Sequence, residues 1–157
     1  MGTSGPRDEQ HGSVPWSRFA ADAPQLADQV RQRFAANLHH VLGTLRPGGA
    51  PRLSGTEVTI EADAVTLGMM AGSHKLADVR RDPRVELHSA PLEDDLAAGD
   101  AKLTGHLVEL DGGVPGQPGA SRFELLLTGV SLVQVQGDEL VFRTWAPGRG
   151  QRERRRR

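Results

Sequence analysis

Residues 72–89 read GSHKLADVRRDPRVELHS, and this stretch decides how the rest of the chain is arranged. It predicts the end of one strand, a short helix and the start of the next strand. Ser73 is a good helix N-cap. The helix is expected to end before Pro83, because the residue that precedes a proline disfavours helical backbone. Val85 and Leu87 then alternate with charged residues, as in a strand with one buried face.

The start of this helix is a candidate anion site. A helix N-terminus offers free N–H groups and the positive end of the helix dipole. Ser73 adds a hydroxyl, and His74 and Lys75 add donors and charge. A cation in the first turn opposes the dipole unless an anion is bound there, and phosphate is the usual anion. The alternative is a solvated, serine-capped helix with an exposed lysine.

Composition places the chain among globular proteins with one core. Its 157 residues are 25% charged and 37% hydrophobic, which is typical of one soluble domain. The absence of cysteine excludes disulfides, thiolate chemistry and cysteine metal sites. No stretch approaches the roughly 18 apolar residues of a membrane helix, and the polar N-terminus lacks a secretory signal. We therefore expect a cytoplasmic protein.

Charge is distributed unevenly along the chain. The formal net charge is −1, but residues 149–157 hold six arginines and one glutamate, so the remainder carries −6. An acidic body argues against a nucleic-acid-binding fold. The basic tail at 149–157 is predicted to be solvated and disordered. The alternative is that the arginines bind RNA or another anionic surface.

The remaining elements predict a mainly β (α+β) fold. Residues 1–15 are predicted as a disordered N-terminal segment, 16–148 as the folded domain and 111–121 as a loop rich in glycine and proline. A helix is expected at 23–36. Strands are expected in a hairpin over 38–60 and at 64–70, 101–110, 123–135 and 139–146. About seven strands and two helices joined by hairpins indicate an antiparallel barrel with small helical inserts.

One strand of the hairpin is unusually polar. One face of this strand carries, in order, Arg52, Ser54, Thr56, Val58 and Ile60. A face that is polar at one end and apolar at the other often runs from a binding site into a core; the alternative is a solvated edge. Gly55 in mid-strand suggests that a ligand or another backbone approaches closely.

Several chemistries have no motif in the chain. The six histidines show no i,i+4 helical pair with a nearby carboxylate, and His39 and His40 point to opposite faces of a strand. No metal site is therefore predicted. A nucleophile elbow, a P-loop and a dinucleotide-binding glycine motif are all absent.

The order of four segments resembles a known family. HHVLGTLRPGGAPRLSGTEV, GSHKLADVRRDPRVELHS, GDAKLTGHLVEL and WAPGRG are similar to the pyridoxamine 5′-phosphate oxidase-like, FMN-binding split-barrel family, including its flavin/deazaflavin oxidoreductases. The resemblance covers roughly residues 16–150. It implies a six- to seven-stranded antiparallel split β-barrel with short helices. It also implies a homodimer with two cofactor sites at the interface.

The resemblance also implies a set of cofactor-binding residues. Arg52 would bind the phosphate, and the ring edge or ribityl chain would contact Leu53, Ser54, Gly55 and Thr56. The phosphate site would be completed by Ser73, His74 and Lys75. His88 and Ser89 match positions that lie near the flavin in relatives. Trp145 and Arg149 match a late tryptophan and arginine that reach the site, often from the partner subunit. The alternative for Trp145 is an ordinary hydrophobic strand residue.

The implied function is that of an FMN- or deazaflavin-dependent oxidoreductase that transfers hydride or electrons to a small organic substrate. Because the cofactor carries such chemistry, no catalytic acid, base or nucleophile is expected. The alternative is a non-catalytic carrier or sensor of flavin, deazaflavin or haem. The chain departs from the family at 111–121, where relatives carry a helix beside the substrate pocket, and at His74, where arginine is commoner.

Overall fold

A computed structural model describes residues 12–61, 63–91 and 96–157. Its helices are α1 (Trp16–Asp22), α2 (Pro24–Ala35) and α3 (His74–Arg81). Its strands are β1 (His39–Leu45), β2 (Pro51–Glu57), β3 (Thr59–Ile60), β4 (Val65–Met69), β5 (Arg84–His88), β6 (Asp100–Leu110), β7 (Ser121–Gln136), β8 (Glu139–Ala146) and β9 (Gly150–Arg156). None of these helices is long and apolar enough to cross a membrane.

All strand pairs are antiparallel and form one sheet that almost closes on itself. The order is β2-β1-β5-β6-β7-β4-β3, and β8 and β9 extend the sheet beyond the second half of β7. The two outer strands of the main path, β2 and β3, are separated in the chain by Val58 alone. In the described residues β2 pairs only with β1, and β3 pairs only with β4, so the barrel remains open between β2 and β4. The prediction of a mainly antiparallel split barrel is confirmed.

The 72–89 unit forms as the sequence predicts. Ser73 caps α3 by accepting a hydrogen bond from the backbone N–H of Leu76 at 3.3 Å. Gly72 precedes the cap at φ +76°, a left-handed conformation that glycine adopts without steric cost. Helix α3 ends at Arg81, before Pro83, and β5 follows directly. The unit thus places the N-terminus of α3 beside the opening between β2 and β4.

Two short helices cover one end of the barrel. Helix α2 was predicted, whereas α1 was not, because its seven residues carry too few apolar positions to show a helical period. The Trp16 and Phe19 rings meet edge to face at 5.1 Å, and Phe19 packs on Trp145 at 5.0 Å. All three side chains are buried, so the aromatic content of the chain is concentrated in its core.

Part of the predicted N-terminal disorder is corrected. Val14 is buried, and its backbone exchanges two hydrogen bonds with Leu127, at 2.9 and 2.6 Å. Residues 12–15 therefore belong to the folded unit, because an apolar side chain and a paired backbone anchor them to β7. Residues 1–11 lie outside the described residues.

The predicted disorder of the C-terminal tail is wrong for residues 150–156. They form β9, which pairs with β8 from Ala146↔Gly150 to Leu140↔Arg156. Glu153 accepts hydrogen bonds from Arg143 and Arg155 at 3.1 and 3.0 Å, which offsets part of the repulsion between arginines. Charge density alone indicated disorder, but backbone pairing with β8 and the hydrogen bonds to Glu153 favour a hairpin.

Candidate functional site

A cleft of about 550 Å³ occupies the opening between β2 and β4. Its size is suited to a small-molecule cofactor. Strand β2 supplies one wall, β3 and β4 supply another, and the start of α3 and the loop between β6 and β7 close its ends. The lining residues are His39, Gly55, Thr56, Glu57, Thr59, Glu61, Thr66, Leu67, Gly68, Met69, Met70, Lys75, Val114, Pro115, Gln117 and Arg122.

Lys75 reaches across the cleft from the first turn of α3. Its Nζ donates a hydrogen bond to the backbone oxygen of Gly55 on β2, at 2.8 Å. Burial lowers the pKa of Lys75 below its ordinary value, because partial desolvation disfavours the charged form. A bound anion beside the amino group would favour the charged form again. The lysine is therefore held where an anion would stabilise it.

Arg122 supplies a second cation to the cleft, which the sequence did not predict. It lies near the start of β7 and pairs in register with Gly68 on β4. Within the described parts of the chain, neither Lys75 nor Arg122 forms an ion pair with a carboxylate. No local motif marks Arg122, because its approach to the cleft depends on the register of β7 against β4.

The loop between β6 and β7 forms part of the cleft wall. Val114 and Gln117 pair across a turn, and Val114 packs against Gly68. A Cβ at Gly68 would lie 2.8 Å from Val114 Cγ2, so glycine is needed for this approach. Residues 111–120 contain turns and no helix, as the sequence predicted. The loop can therefore contact a ligand in the cleft, although it lacks the helix that relatives carry at this position.

Carboxylates line another part of the cleft. Glu57 and Glu61 both contribute to the wall, and His39 Nε2 lies 3.6 Å from Glu57 Oε1. A negatively charged ligand group is repelled by these side chains. Its favourable position is therefore beside Lys75 and Arg122, near the start of α3.

Arg52, the expected phosphate ligand, does not line the cleft. Its Nε donates to Asp78 Oδ2 at 2.7 Å, and Thr44 Oγ1 donates to the same oxygen at 2.8 Å. Arg81 donates to the other oxygen at 3.2 Å. Asp78 is 2% exposed. Burial acts to raise the pKa of Asp78, but the hydrogen bonds from Arg52, Thr44 and Arg81 outweigh it and lower the pKa to about 2.

The remaining residues of the polar strand divide between two surfaces. Gly55 and Thr56 line the cleft. No atom of the described residues lies within 4 Å of where a Cβ of Gly55 would stand, so the backbone there is open to a ligand. Ser54 Oγ is buried and has no hydrogen-bond partner in those same residues. Leu53 points outward and is 74% exposed.

Leu53 and His88 lie in a separate groove of about 460 Å³ on the outer face of β2, β1 and β5. Its other lining residues are Val41, Gly43, Thr44, Leu45, Pro51, Arg84, Val85, Glu86 and Lys102. Ser89 is fully buried, and its Oγ accepts a hydrogen bond from the Ala101 backbone N–H at 3.0 Å. Ser89 therefore holds β5 to β6 and does not face the groove.

The two late candidates lie outside the cleft. Trp145 is 2% exposed and packs on Phe19. This placement agrees with the alternative interpretation, in which Trp145 is an ordinary hydrophobic strand residue. Arg149 is exposed in the turn between β8 and β9, where its backbone N–H donates to Ala146. Of the predicted site residues, the structure brings together Gly55, Thr56 and Lys75, with Ser73 and His74 adjoining them at the start of α3.

No protein-family model and no curated protein sequence matches the chain. Solved structures do. PhzG from Burkholderia lata 383, in complex with tetrahydrophenazine-1-carboxylic acid, superposes with a TM-score of 0.65 at 10% identity, over 100% of this chain and 98% of that one. A pyridoxamine 5′-phosphate oxidase-related, FMN-binding protein from Nostoc punctiforme PCC 73102 gives 0.62 at 11% identity, over 86% and 96%. The fold of the chain is the split barrel that these two proteins share.

Another split barrel widens the range of ligands found on this fold. The heme binding protein from Mycobacterium smegmatis superposes with a TM-score of 0.57 at 14% identity, over 81% of this chain and 86% of that one. At such identities the similarity shows the split-barrel fold alone. What this chain binds has to be argued from the chemistry of its own cleft.

Proposed function

We propose that the cleft binds a phosphorylated flavin, FMN or a deazaflavin, and that the protein is an oxidoreductase acting on a small organic substrate. One observation carries the proposal: two cations without carboxylate partners among the described residues, Lys75 and Arg122, line a cleft at the N-terminus of the serine-capped helix α3. Free N–H groups, the helix dipole and two side-chain charges favour a phosphate there.

The cleft also suits the rest of such a cofactor. The open backbone at Gly55 and the hydroxyl of Thr66 offer polar partners for a ribityl chain. Met70, which is 74% exposed, and Val114 provide apolar surface for a ring. A bound flavin supplies the hydride or electron transfer itself. The residues of this chain bind the phosphate, orient the ring and exclude water from one side of it.

A visible spectrum tests the cofactor directly. We expect the purified protein, or the protein mixed with FMN, to show a flavin spectrum that bleaches on adding dithionite. If the protein binds added deazaflavin coenzyme but not FMN, the cofactor is the deazaflavin. A Soret band after adding haemin, with no binding of either flavin, contradicts the proposal, and so does failure to bind all three.

We further propose that a second copy of the chain covers the outer groove, which would place His88 at a subunit interface. The groove has an apolar surface made by Val41, Leu45 and Pro51, and Leu53 stands beside it with 74% of its surface exposed. Apolar side chains exposed together on one sheet face favour association with a matching surface. The apolar surface of the groove supports a homodimer, as the resemblance implies, but with the cofactor cleft outside the contact made by this groove.

Leu53→Glu is expected to convert the homodimer into monomers, because each interface would have to desolvate two carboxylates in place of two apolar side chains. Sedimentation-velocity ultracentrifugation measures the change. Leu38→Glu is the matched control, since Leu38 is 64% exposed and does not line the groove. A wild-type protein that sediments as a monomer, or a Leu53→Glu variant that remains a dimer, contradicts the proposal.

A further inference from the structure

We propose that the outer face of the β8–β9 hairpin binds single-stranded nucleic acid. Strand β9 is an edge strand, and Arg152, Arg154 and Arg156 point to one face of it, all exposed. Alternate residues of a strand lie about 6.6–6.8 Å apart, so these three side chains leave the strand from evenly spaced positions along one row. A row of this kind can follow the successive phosphates of an extended strand.

The arginines of the hairpin are sorted by face. On the opposite face, Arg155 contacts Glu139 and Glu153 at 3.1 and 3.0 Å, and Arg143 contacts Glu153 at 3.1 Å. Arg152, Arg154 and Arg156 form no ion pair with a carboxylate anywhere in the described ranges. Both glutamates are therefore used on one face, and the charge of the other remains available to a ligand.

An aromatic ring lies within the row. Phe142 on β8 pairs in register with Arg154, and the guanidinium carbons of Arg154 and Arg156 both lie 5.8 Å from the centre of its ring. Proteins that bind single strands combine a basic track along the backbone with aromatic or guanidinium surfaces on which bases stack. The hairpin presents both on one face.

The charge of the rest of the chain favours a single strand over an anionic membrane. Residues 1–148 carry −6, so a wide anionic surface would be repelled as it approaches the hairpin. An extended single strand covers a narrower surface than a membrane, so fewer of the carboxylates in residues 1–148 oppose its approach. Planar guanidinium groups also bind phosphate through paired hydrogen bonds and stack on bases, which aliphatic ammonium groups do not.

Fluorescence anisotropy with a fluorescein-labelled oligouridylate tests the inference on the full chain. We expect binding whose log K falls with log salt at a slope of about −2, since three phosphates each contribute roughly −0.7 for a single strand. The double variant Arg154→Gln/Arg156→Gln should weaken binding by about tenfold or more, because two charged contacts are lost. Glutamine keeps part of the aliphatic stem over Phe142.

The matched control is Arg155→Gln/Arg157→Gln, which removes the same charge from Arg155 on the other face of β9 and from Arg157, the residue directly after the strand. Wild-type-like binding in this control, with a loss in Arg154→Gln/Arg156→Gln, supports the row. Equal losses in both variants, no binding by the wild type, or stronger binding to phosphatidylserine vesicles than to the oligonucleotide overturns the inference. FMN affinity should be unchanged in both variants, which separates this surface from the cleft.

Discussion

Asp78→Ala is expected to lower the free energy of unfolding by about 3–5 kcal/mol, because removing one partner of a buried ion pair leaves the other uncompensated. Asp78 accepts hydrogen bonds from Arg52, Thr44 and Arg81, and only 2% of it is exposed. The Arg52 side chain, at 18% exposure, cannot recover full hydration without leaving β2. Urea denaturation measures the loss through the midpoint and the slope.

The control for Asp78 is Glu109→Ala. Glu109 pairs with Arg80, another arginine of α3, at 2.7 Å, but both side chains are about half exposed. Its loss should cost under about 1 kcal/mol, since exposed ion pairs contribute little. A similar, small effect for both substitutions would contradict the assignment of Asp78 as the buried anchor of β1, β2 and α3.

The pH dependence of stability follows from the same carboxylate. The pKa of Asp78 is about 2 in the folded protein, below its ordinary value, so the folded state binds the proton more weakly than the unfolded state. The contribution of Asp78 is therefore present above about pH 4 and is lost as the pH falls towards 2. Asp82, whose hydrogen bonds from Arg84 also lower its pKa to about 2, titrates in the same window.

Lys75→Met is expected to weaken FMN binding by roughly 10- to 100-fold, since a charged hydrogen bond to phosphate contributes about 1.5–3 kcal/mol. Arg122→Gln should have a comparable effect if both cations hold the phosphate. Methionine keeps the length of the lysine side chain and removes its charge. Quenching of flavin fluorescence during titration with protein measures the dissociation constant.

Arg80→Met is the matched control for Lys75, because it removes one cation from the exposed face of α3, outside the cleft. Its FMN affinity should equal that of the wild type. Because burial lowers the pKa of Lys75, raising the pH into the alkaline range should weaken binding as the amino group loses its proton. Unchanged affinity in both Lys75→Met and Arg122→Gln would contradict the phosphate assignment.

The difference between Arg52 and Arg122 shows where sequence reasoning stops. The alternation over 51–60 placed Arg52 on one face of the strand with Ser54 and Thr56. It could not show that Asp78, in a helix 26 residues later, would accept its hydrogen bond. Arg122 follows a loop with no motif, and only the pairing of β7 with β4 brings it to the cleft.

The sequence by itself determined the local structure around residues 72–89: a glycine turn, a serine cap, a short helix that stops before Pro83 and the strand that follows. These features depend on backbone preferences and hydrogen bonds within a few residues. The tertiary structure decided which cations face the cleft, that Trp145 is a core residue, and that the arginine-rich C-terminus is a strand. Those outcomes depend on register and burial between distant segments, which no local pattern encodes.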